Sequence, residues 1–113
     1  MPDPDPTALT DAVTRLADRL RAMPQSTLSR GPAAEALELA GRLAMRAQQL
    51  EFPGQQPRPM PDAGPFAVGD QLEVAVHDLT EALRHADAPT GRDALDEAGR
   101  LVEEAAPRIT AKR

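Results

Sequence analysis

Apolar residues recur at alternating intervals of three and four along four segments of this chain. The first segment carries Leu9, Val13, Leu16, Leu20 and Met23. This spacing places the side chains on one side of an α-helix, whereas a half-buried strand would alternate every second residue. Prolines and glycines separate the four segments. The pattern predicts an all-α four-helix bundle, a single helical domain over residues 1–113, with helices at about 6–23, 32–51, 68–86 and 91–107.

The second predicted helix has the widest apolar surface. Its apolar side chains cover an arc of roughly 160° at 100° per residue. They are Leu37, Leu39, Ala40, Leu43, Ala44, Ala47 and Leu50. A helix this apolar is either central in the bundle or also contacts another subunit. Ala34 and Met45 lie outside the arc, which makes them candidates for an interaction surface.

A proline-rich segment at 52–66 joins the second and third helices. Its five prolines and two glycines exclude regular structure. We expect Phe52 and Phe66, which flank it, to anchor its ends on the bundle. The alternative is a docking ligand, but Pro57, Pro59 and Pro61 are two apart, whereas a proline-rich ligand needs a spacing of three. About fourteen residues at ~3.1 Å each could also span a helix, so a hairpin and a crossover both remain open.

The short segment 87–91 predicts a tight turn between the last two helices. Thr90 and Asp93 resemble a capping box, with Asp in place of Glu or Gln. Pro107 is expected to end or kink the last helix.

The composition limits the classes of function. Without cysteine there is no disulfide or thiolate chemistry. A net charge of −5 disfavours nucleic-acid binding. No apolar run approaches the roughly 20 residues of a membrane span, and the N-terminus lacks the features of a signal peptide, so we expect a cytoplasmic protein that does not bind membranes. The preference for Arg, Ala, Pro and Gly over residues with AT-rich codons indicates a high-GC bacterial genome.

One set of side chains could bind a metal. Glu73, His77, Glu81 and His85 follow one another at four-residue steps on the third helix, and carboxylate and imidazole groups ligate divalent cations. The competing interpretation, which we favour, is an ordinary solvated face, because His77 lies opposite the start of the apolar stripe. No nucleophile motif or Gly-rich phosphate loop occurs. We therefore expect neither an enzyme nor a bound cofactor.

The sequence predicts a non-enzymatic helical protein that binds a partner protein or a second copy of itself, in an interaction or regulatory accessory role. Ala34, Met45, Phe52 and Phe66 are the candidate interaction residues. The first alternative is a small-ligand-binding bundle with an apolar pocket between its helices. The second is a metal-binding protein that uses the polar face of the third helix.

Overall fold

A computed structural model describes residues 4–111 of the chain. The elements in chain order are α1 (Thr7–Ala22), α2 (Gln25–Leu28), α3 (Pro32–Glu51), a one-turn 3₁₀ helix (Pro65–Ala67), α4 (Val68–Leu83) and α5 (Ala88–Thr110). Within that range there are helices, turns and irregular segments but no strand. The all-α fold predicted from the apolar spacing is confirmed.

The four long helices form a bundle in which each packs against two others. The contacts run α1–α4–α3–α5 and back to α1, and α3 packs most extensively on α4. Arg46 on α3 bonds Glu97 on α5, whereas the early residues of α3 lie near the end of α5, so these two helices are antiparallel. Arg21 near the end of α1 bonds Asp70 at the start of α4, which makes that pair antiparallel as well.

Helices α3 and α4 run parallel, so the proline-rich segment is a crossover. Ala34, near the start of α3, lies beside Val68 at the start of α4. Ala44, ten residues further along α3, lies near Asp78, ten residues further along α4. Residues 52–64 therefore return along the outside of the α3–α4 groove, and we call them the crossover segment. This settles the choice between hairpin and crossover that the length of the segment leaves open.

The core consists of aliphatic side chains. The largest fully buried ones include Leu20, Leu28, Leu43, Leu72, Leu79, Ile109 and Val13. Small residues allow close helix contact: a Cβ atom at Gly69 on α4 would lie 3.2 Å from the backbone oxygen of Ala17 on α1. The wide apolar arc of α3 packs against α4, α5 and Met60 of the crossover segment, and only Leu37, Ala44 and Leu50 of the arc remain partly exposed.

Two helix ends differ from the sequence prediction. Helix α4 ends at Leu83 rather than near residue 86, because the backbone N–H groups of Arg84 and His85 bond carbonyls three residues back and tighten the last turn. Helix α5 begins at Ala88, and its cap is Asp87, whose side chain accepts a hydrogen bond from the Thr90 N–H at 3.1 Å. The predicted Thr90–Asp93 cap is therefore wrong.

Pro107 lies inside α5, which continues to Thr110. Proline removes one backbone hydrogen bond from a helix. Beyond it, Ile109 is fully buried, and this burial holds the last turn in helical form. At the start of α1 the N-cap position is Pro6, which has no side-chain cap, and the preceding Asp5 accepts the N–H of Thr7 at 3.0 Å.

The connection between α1 and α3 contains the one-turn helix α2. Pro24 precedes it, and no side chain caps it. Leu28 from this turn is buried in the core, a contribution that the sequence pattern does not indicate. Gly31 then adopts φ 149°, a conformation that favours glycine, and the chain enters α3 at Pro32.

Candidate functional site

Within residues 4–111, four large apolar side chains are exposed, and all belong to α3, α4 or the chain that joins them. Their exposed fractions are 45% for Met45, 51% for Phe52, 67% for Phe66 and 58% for Val74. The crossover segment lies between the two helices that carry Met45 and Val74. We call this side of the bundle, formed by α3, the crossover segment, the 3₁₀ turn Pro65–Ala67 and α4, the crossover face.

Polar contacts fix the crossover segment to both helices. The side-chain amide of Gln48 on α3 accepts the N–H of Arg58 at 2.7 Å and donates to the Arg58 carbonyl at 3.1 Å. On the other side, Gln71 of α4 donates to the Pro61 carbonyl at 2.8 Å. Between them, Met60 packs against the core, and a Cβ at Gly41 would lie 3.7 Å from Met60 Cβ.

The two phenylalanine rings do not anchor the ends of this segment, so that expectation is wrong. Phe52 follows the last residue of α3, where the backbone leaves the helix at φ −130° and ψ 69°. Phe66 lies in the 3₁₀ turn, directly after Gly64 at φ 94° and Pro65. Both turns direct more than half of each ring's surface to solvent. The amides of Gln48 and Gln71, together with Met60, hold the segment instead.

The four interaction residues predicted from the sequence are all exposed, but they do not form one cluster. Ala34 lines a depression with Pro65 and Val68 at the starting end of α3 and α4. Phe52 lines another at the far end of α3, with Pro57 and other crossover residues. Met45 lies on α3, seven residues before Phe52.

Val74 is a member of the crossover face that the sequence analysis missed. It lies 200° from Leu72 on the helical wheel and so falls outside the core stripe of α4. A β-branched apolar residue on an otherwise polar helix face was the available signal. Its neighbours one turn away, Gln71 and Asp78, contact or border the crossover segment.

The structure does not assemble the metal-ligand candidates on α4. Glu73 accepts a hydrogen bond from Arg21 at 3.0 Å, and Glu81 lies 3.9 Å from Arg84. His77 is exposed on α4, whereas His85 lies in the turn beyond the end of that helix. Across residues 4–111, no group of three or more His, Cys, Asp or Glu side chains is placed to hold a metal ion.

Arg21 instead forms a small ionic cluster that joins α1 to α4. Its guanidinium donates to Glu73 and Asp70 on α4 and to Asp18 on its own helix. The hydrogen bond to Glu73, followed by that to Asp70, raises the pKa of Arg21 above its ordinary value. Because these groups are substantially exposed, we assign the cluster a modest structural role.

The fold and its exposed face define a small helical bundle with an apolar surface formed by a crossover connection. No protein-family model, curated protein or solved structure matches this chain. Among the helices described, none combines the length and apolar character required to cross a bilayer.

Proposed function

We propose that this chain is a non-enzymatic interaction protein that binds a partner protein through its crossover face, as a regulatory or accessory subunit. One observation carries the proposal. The only two aromatic residues of the chain, Phe52 and Phe66, are both more than half exposed on this face.

This distribution of aromatic residues is unusual for a core-forming protein. Phenylalanine rings normally contribute large buried areas to a core. Here aliphatic residues alone fill the core, and both rings lie outside it. Aromatic and Met side chains are enriched at protein interfaces, where a few of them provide most of the binding energy. Met45 on α3 and Val74 on α4 add further exposed apolar area on the two helices that the crossover segment joins.

The position of the rings sets the size of the partner surface. Phe52 follows the end of α3, and Phe66 precedes the start of the parallel helix α4. The 20 residues of α3 correspond to about 30 Å of helix, so the rings lie near opposite ends of the face. A partner that contacts both must present an elongated apolar surface, such as a helix of about 20 residues. We place this binding in the cytoplasm, since a chain without disulfides needs no oxidising compartment.

The proposal is tested by affinity capture from the source organism, with three chains compared. The first is the wild type, the second is Phe52→Ser/Phe66→Ser, and the control is Thr14→Ser/Ala22→Ser, which changes two exposed residues of α1. We expect the wild type and the control to retain the same protein and the phenylalanine variant to lose it. Equal retention by all three chains would contradict the proposal, provided that circular dichroism shows each of them folded.

A further inference from the structure

A row of alternating apolar and acidic side chains runs along the outer side of α4. Phe66, in the 3₁₀ turn that continues into this helix, is followed at four-residue steps by Asp70, Val74 and Asp78. Such steps place side chains on neighbouring turns of one helix face. All four are exposed, and Phe66 and Val74 are the two most exposed large apolar side chains among residues 4–111, at 67% and 58%. We call these four residues the α4 row.

Helix α4 itself is acidic. It contains no lysine or arginine, and its one basic group is the exposed imidazole of His77. Two arginines reach its carboxylates from outside the row, since Arg21 bonds Asp70 and Glu73, and Arg84 lies 3.9 Å from Glu81. Asp70 nevertheless keeps 74% of its side chain exposed. Asp78, also exposed, is bonded by no arginine within the described part of the chain.

The neighbouring elements do not cancel this negative charge. Both arginines of α3 are already bonded to carboxylates, in the pairs Arg42–Glu38 and Arg46–Glu97. Arg58 of the crossover segment lines the same depression as Asp78 and offsets one carboxylate at that end of the row. Asp62, exposed near the other end of the segment, restores that charge. Over α4 and the crossover segment together, carboxylates outnumber arginines, and the α4 row has no cation of its own.

A surface with this pattern is complementary to an amphipathic helix of opposite charge. Apolar residues on one face of such a helix cover Phe66 and Val74, and lysine or arginine beside that face meets Asp70 and Asp78. The 16 residues of α4 correspond to about 24 Å, which matches a partner helix of similar length. Nucleic acids and anionic lipid surfaces would instead bring phosphate against these carboxylates and are disfavoured.

We propose that the partner of the crossover face is a basic amphipathic helix that lies along the α4 row. This inference rests on the proposed function, because it names the kind of protein surface that the crossover face binds. Apolar contact with Phe66 and Val74 supplies the affinity, and the carboxylates of Asp70 and Asp78 select a helix of positive charge. Since these carboxylates are exposed, the complex should weaken as salt is added.

Two synthetic peptides of about 20 residues serve as the probes, a length that covers α4. Both carry leucine at the spacing of one helix face, and their remaining positions are all lysine in one peptide and all glutamate in the other. We expect the labelled leucine–lysine peptide to bind the wild-type chain by fluorescence anisotropy at low salt. The leucine–glutamate peptide should not bind.

Variants of the α4 row then test where the lysine peptide binds. Asp70→Asn/Asp78→Asn should bind it about three- to tenfold more weakly, the effect of two lost exposed ion pairs. The control Asp96→Asn/Glu103→Gln makes the same change in net charge at exposed positions of α5 and should bind as the wild type does. Val74→Ser should weaken binding about fivefold, because it removes apolar area that the bound helix covers.

One further variant separates the loss of binding from a change in the bundle. Asp70 accepts hydrogen bonds from Arg21 on α1, so Asp70→Asn also alters a contact between helices. Asp78→Asn alone leaves every ion pair of the described residues in place and should still weaken binding about twofold or more. Circular dichroism confirms that each chain is folded.

Three results overturn the proposal: no binding of the lysine peptide, equal binding of both peptides, or equal losses in the α4-row variant and the α5 control. None of them bears on the proposed function, because the capture experiment depends on Phe52 and Phe66 and sets no condition on the charge of the partner. The proposed function fails when all three chains of that experiment retain the same proteins, whatever the peptides do.

Discussion

The side-chain amide of Gln48 binds both backbone polar groups of Arg58, with the Arg58 N–H donating at 2.7 Å and the Arg58 carbonyl accepting at 3.1 Å. Gln48 belongs to the fifth turn of α3, and Arg58 lies in the middle of the crossover segment. This pair replaces the backbone partners that an irregular segment lacks. It fixes the segment in the α3–α4 groove and thereby sets where the crossover face exposes its apolar side chains.

Replacement of Gln48 by alanine should release the middle of the crossover segment. A partly exposed hydrogen bond contributes about 0.5–1.5 kcal/mol, so we expect a loss of about 1–2 kcal/mol in unfolding free energy. Hydrogen exchange at the Arg58 amide should become faster. Gln49→Ala is the matched control, since Gln49 is an exposed neighbour of Gln48 on the same helix. Unchanged exchange at Arg58 in Gln48→Ala would show that the pair does not hold the segment.

Leu43 lies at the centre of α3 and is fully buried. Leu43→Ala should lower the free energy of unfolding by about 2–5 kcal/mol, because it removes buried methyl groups and leaves a cavity. Leu43→Asp should unfold the chain, since it buries an unpaired charge. Met45→Ala, two residues away and 45% exposed, is the control and should cost well under half as much. Urea titration measures the free energy of unfolding of all three variants. A folded Leu43→Asp chain would show that residue 43 does not face the core.

The bonded pair Arg46–Glu97 links α3 to α5 at 2.9 Å, with side chains 24% and 45% exposed. We expect a double-mutant cycle with Arg46→Ala and Glu97→Ala to give a coupling energy of up to about 1 kcal/mol that decreases as salt is added. The pair Glu38–Arg42 within α3 is the comparison, with an expected coupling of about 0.3–0.5 kcal/mol. A coupling for Arg46–Glu97 above about 3 kcal/mol would mean that this pair is a major determinant of the bundle.

Asp87 caps α5, and the hydrogen bonds that it accepts from the backbone N–H and then the side chain of Thr90 hold its pKa below the ordinary value. The folded state therefore binds this proton less readily than the unfolded state does. The stabilisation is complete above about pH 4 and is lost as the pH falls through the lower, folded-state pKa. The pKa of Asp5 is also lowered, by the hydrogen bonds that it accepts from the side chain and backbone of Thr7. Its contribution to stability is therefore lost over the same acidic range.

The variant Asp87→Asn keeps a capping oxygen but does not titrate. Its melting temperature should therefore fall less between pH 5 and pH 2 than that of the wild type, as measured by thermal melts at intervals of half a pH unit. If the melting temperatures of the two chains fall equally as the pH is lowered, Asp87 is not a source of acid sensitivity.

The helical periodicity of the sequence predicts most of this fold, because each long helix has an aliphatic stripe that must be buried. The bounds of α3 agree to the residue, since Pro32 starts that helix and Pro53 follows its end. The stripes alone do not determine which helices are parallel. That choice rests on long-range polar contacts such as Gln48 with Arg58, which leave no periodic signal in the sequence.

The candidate site was predictable only in part. Met45 stood out as an apolar residue off the stripe of α3, and Val74 carried the same signal on α4. The sequence suggested Phe52 and Phe66 both as anchors of the segment and as interaction residues and could not decide between the two, because an aromatic residue beside a helix end packs inward or outward according to the backbone turn next to it. In this chain the turns at the end of α3 and after Gly64 direct both rings outward.

The most direct test of the central claim is fluorine NMR on protein labelled with fluorophenylalanine. Since the chain has only Phe52 and Phe66, the spectrum contains two signals, which single Phe→Leu variants assign. We predict that a soluble paramagnetic probe broadens both signals strongly, as expected for rings more than half exposed to solvent. A signal that the probe leaves sharp would place that ring inside the bundle and would contradict the crossover face as a binding surface.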